Sequence, residues 1–425
     1  MIALTFSVLL IILLFAGLPI GFTLIFIGAT GIFYMGGIDM LTGVLPGTIY
    51  SSVNSFTYTT VPLFILMAHF LSKSNIAVDL FQSVLKWIGH LPGGAGVATV
   101  FSSAGFGALS GSSIAATSIM SEIAAPQMMK ANYTDRFTTG LIASSTGTLA
   151  ALIPPSIPLI IYGIQTETSV AQLLVAGIVP GILLSLLLCL VVIVGAQLNN
   201  SKVEKSTWSD RLNSIKPIFP IIILIFSVIV FLYAGFGTST EAAAFGAFAA
   251  MVLGFLLRRL NIHLVYLSLK DTVRQTAMIF TIVIGAEIFA FFISLTRIGD
   301  YLISFITESG FSPYTILLLI IVMYLILGMF LDMLGSMLIT LPLVFPLIIQ
   351  IGFDPLWFGV VLVILLEIGL VTPPVGMNLY VTSKHAKVPV ERVFQGSVPF
   401  ILVLLLLISL FVIFPELILY LPSQM

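Results

Sequence analysis

Charge is what this 425-residue chain lacks most: only 8% of its residues are Asp, Glu, Lys or Arg. A soluble domain carries about 25%. With 59% hydrophobic residues and a mean hydropathy of +1.20, the chain has too few polar groups to cover a water-facing surface. A soluble enzyme, a nucleic-acid binder and a disordered chain are excluded together. The 16 basic and 17 acidic residues nearly cancel, so no basic face attracts a polyanion. The single cysteine, Cys189, rules out an intrachain disulfide and a thiolate metal cluster. No Lys or Arg precedes Lys73, so the apolar start lacks the basic region of a cleaved signal peptide. Glycine (35) and proline (21) are plentiful. They predict broken helices, which a bilayer tolerates only where the break is enclosed by protein or lines a cavity.

The chain repeats itself. A shift of 219 places Pro154 on Pro373, Pro155 on Pro374, Gly177 on Gly396 and Pro180 on Pro399. A shift of 218 places Ala16-Gly17 on Ala234-Gly235 and Gly28-Ala29 on Gly246-Ala247. The stretch between the halves, 199–216, is the most polar of the chain. We therefore expect an all-α polytopic membrane protein made of two repeats, 1–198 and 217–425, joined by a cytoplasmic linker at 199–216.

Spans of about 20 apolar residues are expected near 2–16, 19–36, 55–72 and 170–197, then 217–234, 238–258, 273–296 and 394–414. Segments 136–165 and 354–383 are interrupted by Pro-Pro and read as broken helices. Segments 94–128 and 312–350 are apolar with polar or glycine-rich centres, Ser110-Gly111-Ser112-Ser113 and Asp332-Met333-Leu334-Gly335-Ser336. They read as re-entrant hairpins. Each half then crosses five times, and an odd number inverts the second half. This parity places fifteen of the 16 basic residues on one side, with Arg297 alone opposite. The rich side is cytoplasmic by the positive-inside rule, so both termini face the periplasm. The amphipathic segments 77–90 and 262–274 are expected at the membrane surface.

Helix breaks at membrane depth free backbone carbonyls, which suit a hard cation such as sodium, with Ser and Thr hydroxyls as further ligands. Paired interrupted segments in two halves mark a transport site. The candidate cation ligands are Ser112, Ser113, Ser145, Thr146, Gly147 and Pro154 in the first half. In the second they are Gly328, Gly335, Ser336, Gly369, Thr372 and Pro373. The candidate cargo residues are Ser110, Gly111, Ser156, Asp332, Met333, Gly376 and Asn378. Asp332 and Glu367 are intramembrane carboxylates, functional candidates by default, and proton coupling through them is the alternative to sodium. No nucleophile–base pair accompanies them, so catalysis is not expected. Thr238-Ser239-Thr240-Glu241 fits a capping box, a structural use of the acid. No Lys or Arg falls in the expected core, so an anionic cargo would rely on helix N-termini, hydroxyls and bound cations.

Four motifs together resemble a known family. Ser110-Gly111-Ser112-Ser113, Pro154-Pro155-Ser156, the run from Gly235 through Glu241 to Ala247, and Thr372-Pro373-Pro374-Val375-Gly376-Met377-Asn378 are similar, in this order, to the large membrane subunit of tripartite ATP-independent periplasmic (TRAP) transporters. The similarity spans essentially the whole chain. It implies a secondary transporter of the bacterial inner membrane that takes up organic acids, including C4-dicarboxylates and sialic acids, on a sodium gradient. It also implies at least two sodium ions, a small four-helix membrane subunit, a periplasmic substrate-binding protein, and an elevator movement of a transport domain against a scaffold. Carried over, Ser110 to Ser113 with Pro154-Pro155 would form one sodium site. Gly328, Asp332, Gly335 and Ser336 with Thr372 to Pro374 would form the other.

Overall fold

The structure, a computed structural model, describes residues 2–199, 206–299, 301, 304 and 310–425. Among these residues every regular element is a helix. Phe22, Phe26, Phe226, Phe248, Leu402 and Leu406 point outward, as expected of side chains that meet lipid rather than water.

Two features place the halves. The first broken helix runs Asp135–Leu152 and then Ile157–Gln165, with a 46° bend between. The second runs Pro355–Leu370 and then Met377–Ala386. Asp135, where the first begins, is bridged to Arg392 at 2.6 Å, just beyond the end of the second. Near the end of the first, Tyr162 Oη donates to Pro355 O at 2.8 Å, where the second begins. The two broken helices are therefore antiparallel. Both breaks contain a cis Pro-Pro bond, Pro154-Pro155 and Pro373-Pro374, at the positions the repeat aligned.

The hairpins follow the same inversion. The arms of the first, Gly94–Ser110 and Ser113–Lys130, are each about 26 Å long at 1.5 Å per residue. Length alone would let each cross a bilayer, so the position of the tip decides. A Cβ on Gly96 would lie 3.4 Å from Tyr133 Oη and 3.5 Å from Met128 Cε, so the hairpin enters and leaves at one end of the molecule. Its tip stops at the first break: a Cβ on Gly111 would lie 3.2 Å from Pro155 O. The second hairpin, Pro313–Phe330 and Met333–Gln350, has both ends opposite. Tyr314 meets Phe353 edge-on at 5.9 Å, and Phe353 stacks on Trp357 at 5.1 Å. Its tip stops at the second break, where Val375 N–H donates to Met329 O at 3.2 Å. Each hairpin thus ends at a break, and the two enter from opposite ends.

Several boundaries differ from the expected ones. The helix placed at 19–36 continues as Ile20–Ser51 through a non-helical Gly37. Segment 262–274 is not a separate surface helix but the start of Ile262–Thr296. At about 52 Å this helix exceeds a hydrocarbon core of about 30 Å, so its polar first turns extend past the apolar zone without breaking. The expected span 170–197 holds, Val170–Ala176 and Ile178–Asn199 joining through Gly177 in helical conformation. Part of the expected linker is helical, Trp208–Ile215. It docks on the amphipathic helix Ile76–Ile88 through Ser83 Oγ donating to Ser214 O at 2.9 Å and Trp87 Nε1 to Arg211 O at 3.1 Å. Lys202, Glu204 and Lys205 of the linker lie outside the described residues.

Small residues allow the closest crossings, as in membrane bundles generally. Gly21, Gly28 and Gly31 face Thr281, Ile288 and Phe292, joining Ile20–Ser51 to Ile262–Thr296. The Thr238 capping box is formed: Thr238 Oγ1 accepts from Glu241 N–H at 3.3 Å, and Glu241 Oε2 accepts from Thr238 N–H at 2.7 Å. Thr238→Ala should therefore cost about 1 kcal/mol, read as a lower melting temperature of the detergent-purified protein.

Candidate functional site

The two tips and two breaks meet. A cavity of about 120 Å³ lies between them, lined by Gly111, Ser112, Ser113, Ile157, Pro158, Asp332, Met333 and Leu370. Gln275, Met278 and Ile279 of the long helix Ile262–Thr296 close one wall. Hydropathy gave no sign of these three: Met278 and Ile279 sit in an apolar run in which nothing marks the turn that faces a cavity, and Gln275 follows the charged Lys270, Asp271 and Arg274 and reads as surface.

Each tip is the N-terminus of a returning arm. Ser112 Oγ accepts from Ala115 N–H at 3.5 Å, and Asp332 Oδ2 from Gly335 N–H at 3.4 Å. Helix N-termini carry partial positive charge and free N–H groups. Two of them, entering from opposite ends, face the cavity without a basic side chain. Asp332 Oδ1 and Ser336 Oγ are buried with no hydrogen-bond partner.

Behind the first tip lies a second polar cluster. Ser113 Oγ donates to Glu367 Oε2 at 3.0 Å. Asn378 Nδ2 donates to Ser113 Oγ at 2.9 Å and to Glu367 Oε2 at 3.3 Å. Glu367 and Asn378 are both 0% exposed. Gly147 leaves them room, since a Cβ there would stand 2.7 Å from Glu367 Oε2. Thus Ser113 and Gly147 of the first half meet Glu367 and Asn378 of the second.

The remaining candidates divide. Thr146 Oγ1 pairs with Ser103 Oγ at 2.9 Å, while Ser145 Oγ is buried without a partner. Ser156 turns away from the cavity: its hydroxyl bonds Ala151 O and caps Leu159 N–H, fixing the geometry after the break. Ser110 Oγ stays within its own tip, 3.4 Å from Ser112 O. Thr372 Oγ1 donates to Ile368 O at 2.6 Å. Gly328 and Gly369 touch backbone to backbone, a Cβ on Gly328 lying 2.9 Å from Gly369 Cα. Gly376, at φ +51°, turns the chain so that its N–H reaches Met329 O at 3.4 Å; Pro154 and Pro373 open the two breaks. Three further acids lie outside this cavity: Glu122 pairs with His385 at 2.7 Å, Glu287 with Gln165, and Glu241 with its own helix cap.

Residues 7–417 match the family described as "Tripartite ATP-independent periplasmic transporter, DctM component". The chain belongs to this family. The TRAP large permease for C4-dicarboxylates of Pseudomonas aeruginosa is 32% identical over 88% of each chain. That for sialic acid of Vibrio cholerae is 31% identical over 97% of this chain and 96% of the relative, and that for ectoine of Halomonas elongata is 32% identical over 96% of each. The Alcanivorax borkumensis YdaH transporter superposes over 90% of both chains with a TM-score of 0.68 at 14% identity, a likeness of fold. The chain is thus a multi-pass membrane permease of the TRAP class.

Proposed function

We propose that this TRAP permease imports a small organic acid of the sialic acid or C4-dicarboxylate class, coupled to sodium. The observation that carries the reading is the convergence of two opposed hairpin tips and two helix breaks on one cavity. Such a cavity offers N–H groups and hydroxyls to a carboxylate and unpaired oxygens to cations. Sodium fits because the residues lining the cavity include a carboxylate and hydroxyls but no basic side chain to neutralise an anion; the ions would supply that charge. At least two sodium ions are expected, one at each pairing of tip and break. The hairpins and broken helices would move as a transport domain against a scaffold containing Ile20–Ser51 and Ile262–Thr296. Cargo would arrive from a periplasmic binding protein, and a small four-helix subunit would complete the assembly in the inner membrane. The end holding Lys130, Arg136, Lys384 and Arg392 would face the cytoplasm, and both termini the periplasm.

Uptake into proteoliposomes containing the whole assembly tests this. Replacing external sodium with choline should abolish accumulation. Full-rate uptake driven by a pH gradient in choline would overturn sodium coupling and give the role to a proton on Asp332 or Glu367.

A further inference from the structure

A carboxylate removed from water either gains a compensating charge or takes up a proton. Glu367 is wholly buried, yet none of the ion pairs among the described residues includes it. Its contacts are the neutral donors Ser113 Oγ and Asn378 Nδ2, both on Oε2. Glu367 Oε1 and Asn378 Oδ1 are buried and have no hydrogen-bond partner. Three elements therefore bring oxygens together: the first hairpin tip, the helix before the second break, and the helix after it.

We propose that Glu367 and Asn378 of the second repeat complete the cation site of the first hairpin tip, holding one sodium ion with Ser113. This deepens the sodium-coupled reading and rests on it. A monovalent cation balances one carboxylate, and carboxylate, amide and hydroxyl oxygens suit a hard ion. The placement follows from the fold. The first tip enters beside the second broken helix, so a ligand set spanning both repeats ties closure of the tip to occupancy of the site. With sodium present, Ser113 and Asn378 are drawn onto Glu367. Without it, the uncompensated carboxylate favours withdrawal of the tip and hydration.

The test counts sodium. The assembled transporter, isolated from membranes with its partner subunits, is titrated with radioactive sodium, and uptake is measured against sodium concentration in proteoliposomes. Glu367→Gln keeps the shape and removes the charge. It should bind one sodium ion fewer than wild type and lower the Hill coefficient for sodium. Glu367→Gln combined with Asn378→Asp returns a carboxylate to the cluster and should restore the count. Ser113→Ala removes a neutral ligand and should raise half-saturating sodium about tenfold, the loss of one modest contact, at an unchanged count. If Glu367→Gln does not assemble, Ser113→Ala decides: unchanged half-saturation overturns the proposal. An unchanged sodium count in assembled Glu367→Gln, with wild-type uptake still sodium-dependent, also overturns it. Sodium-independent wild-type uptake would instead remove the reading beneath it.

Discussion

Gly147→Ala should reduce cargo uptake at least about tenfold while leaving the protein in the membrane. The added methyl would stand 2.7 Å from Glu367 Oε2 and closer still to Ser113 Oγ and Asn378 Nδ2. Overpacking of this kind costs about 1–3 kcal/mol, and about 1.4 kcal/mol is a factor of ten. Here the strain falls on the contact between the first tip and the second repeat, so it acts on closure rather than on the bundle as a whole. Initial uptake rates, normalised to assembled transporter, check it. Near wild-type rates would show that the cluster has slack which the close approaches do not suggest.

The second large effect is on stability. Gly140→Val and Gly396→Val should each destabilise the protein by about 3 kcal/mol or more. Gly140 faces the backbone of Gly396, and Gly396 faces the carbonyl of Arg136, too closely for any Cβ. The helix Asp135–Leu152 crosses Val390–Ile413 at this point. Backbone cannot rotate aside as a long side chain can, so the helices must separate. A marked fall in melting temperature of detergent-purified protein is expected. Gly43→Ala, where nothing lies within 4 Å, serves as the matched control and should change it little.

Much of this design could be read in the residues. Low charge and long apolar runs allow only a membrane protein. Pro-Pro repeated at a shift of 219 marks two interrupted helices, because two adjacent prolines in a helix interior remove two successive backbone donors. Ser110 to Ser113 and Asp332 to Ser336 mark tips because polar groups at membrane depth require protein partners. Boundaries were less legible. Helix Ile262–Thr296 hides its membrane edge, since Lys270, Asp271 and Arg274 are good helix residues in water and the helix continues through them. Ser156 looked like a cargo ligand beside its break, but a hydroxyl following a break is also an N-cap, and the structure uses it so.

The sequence by itself therefore determined the membrane class, the inverted halves and the two pairs of polar interruptions. These follow from local rules: hydropathy, proline chemistry and the cost of polar groups in lipid. Only the tertiary structure decided which interruptions touch. It set Ser113 and Gly147 against Glu367 and Asn378, and brought Gln275 and Met278 to the cavity wall. The contacts of Ser113 and Gly147 with Glu367 and Asn378 join residues more than 200 positions apart, and no local pattern carries them: they arise from how antiparallel broken helices pack around opposed hairpins.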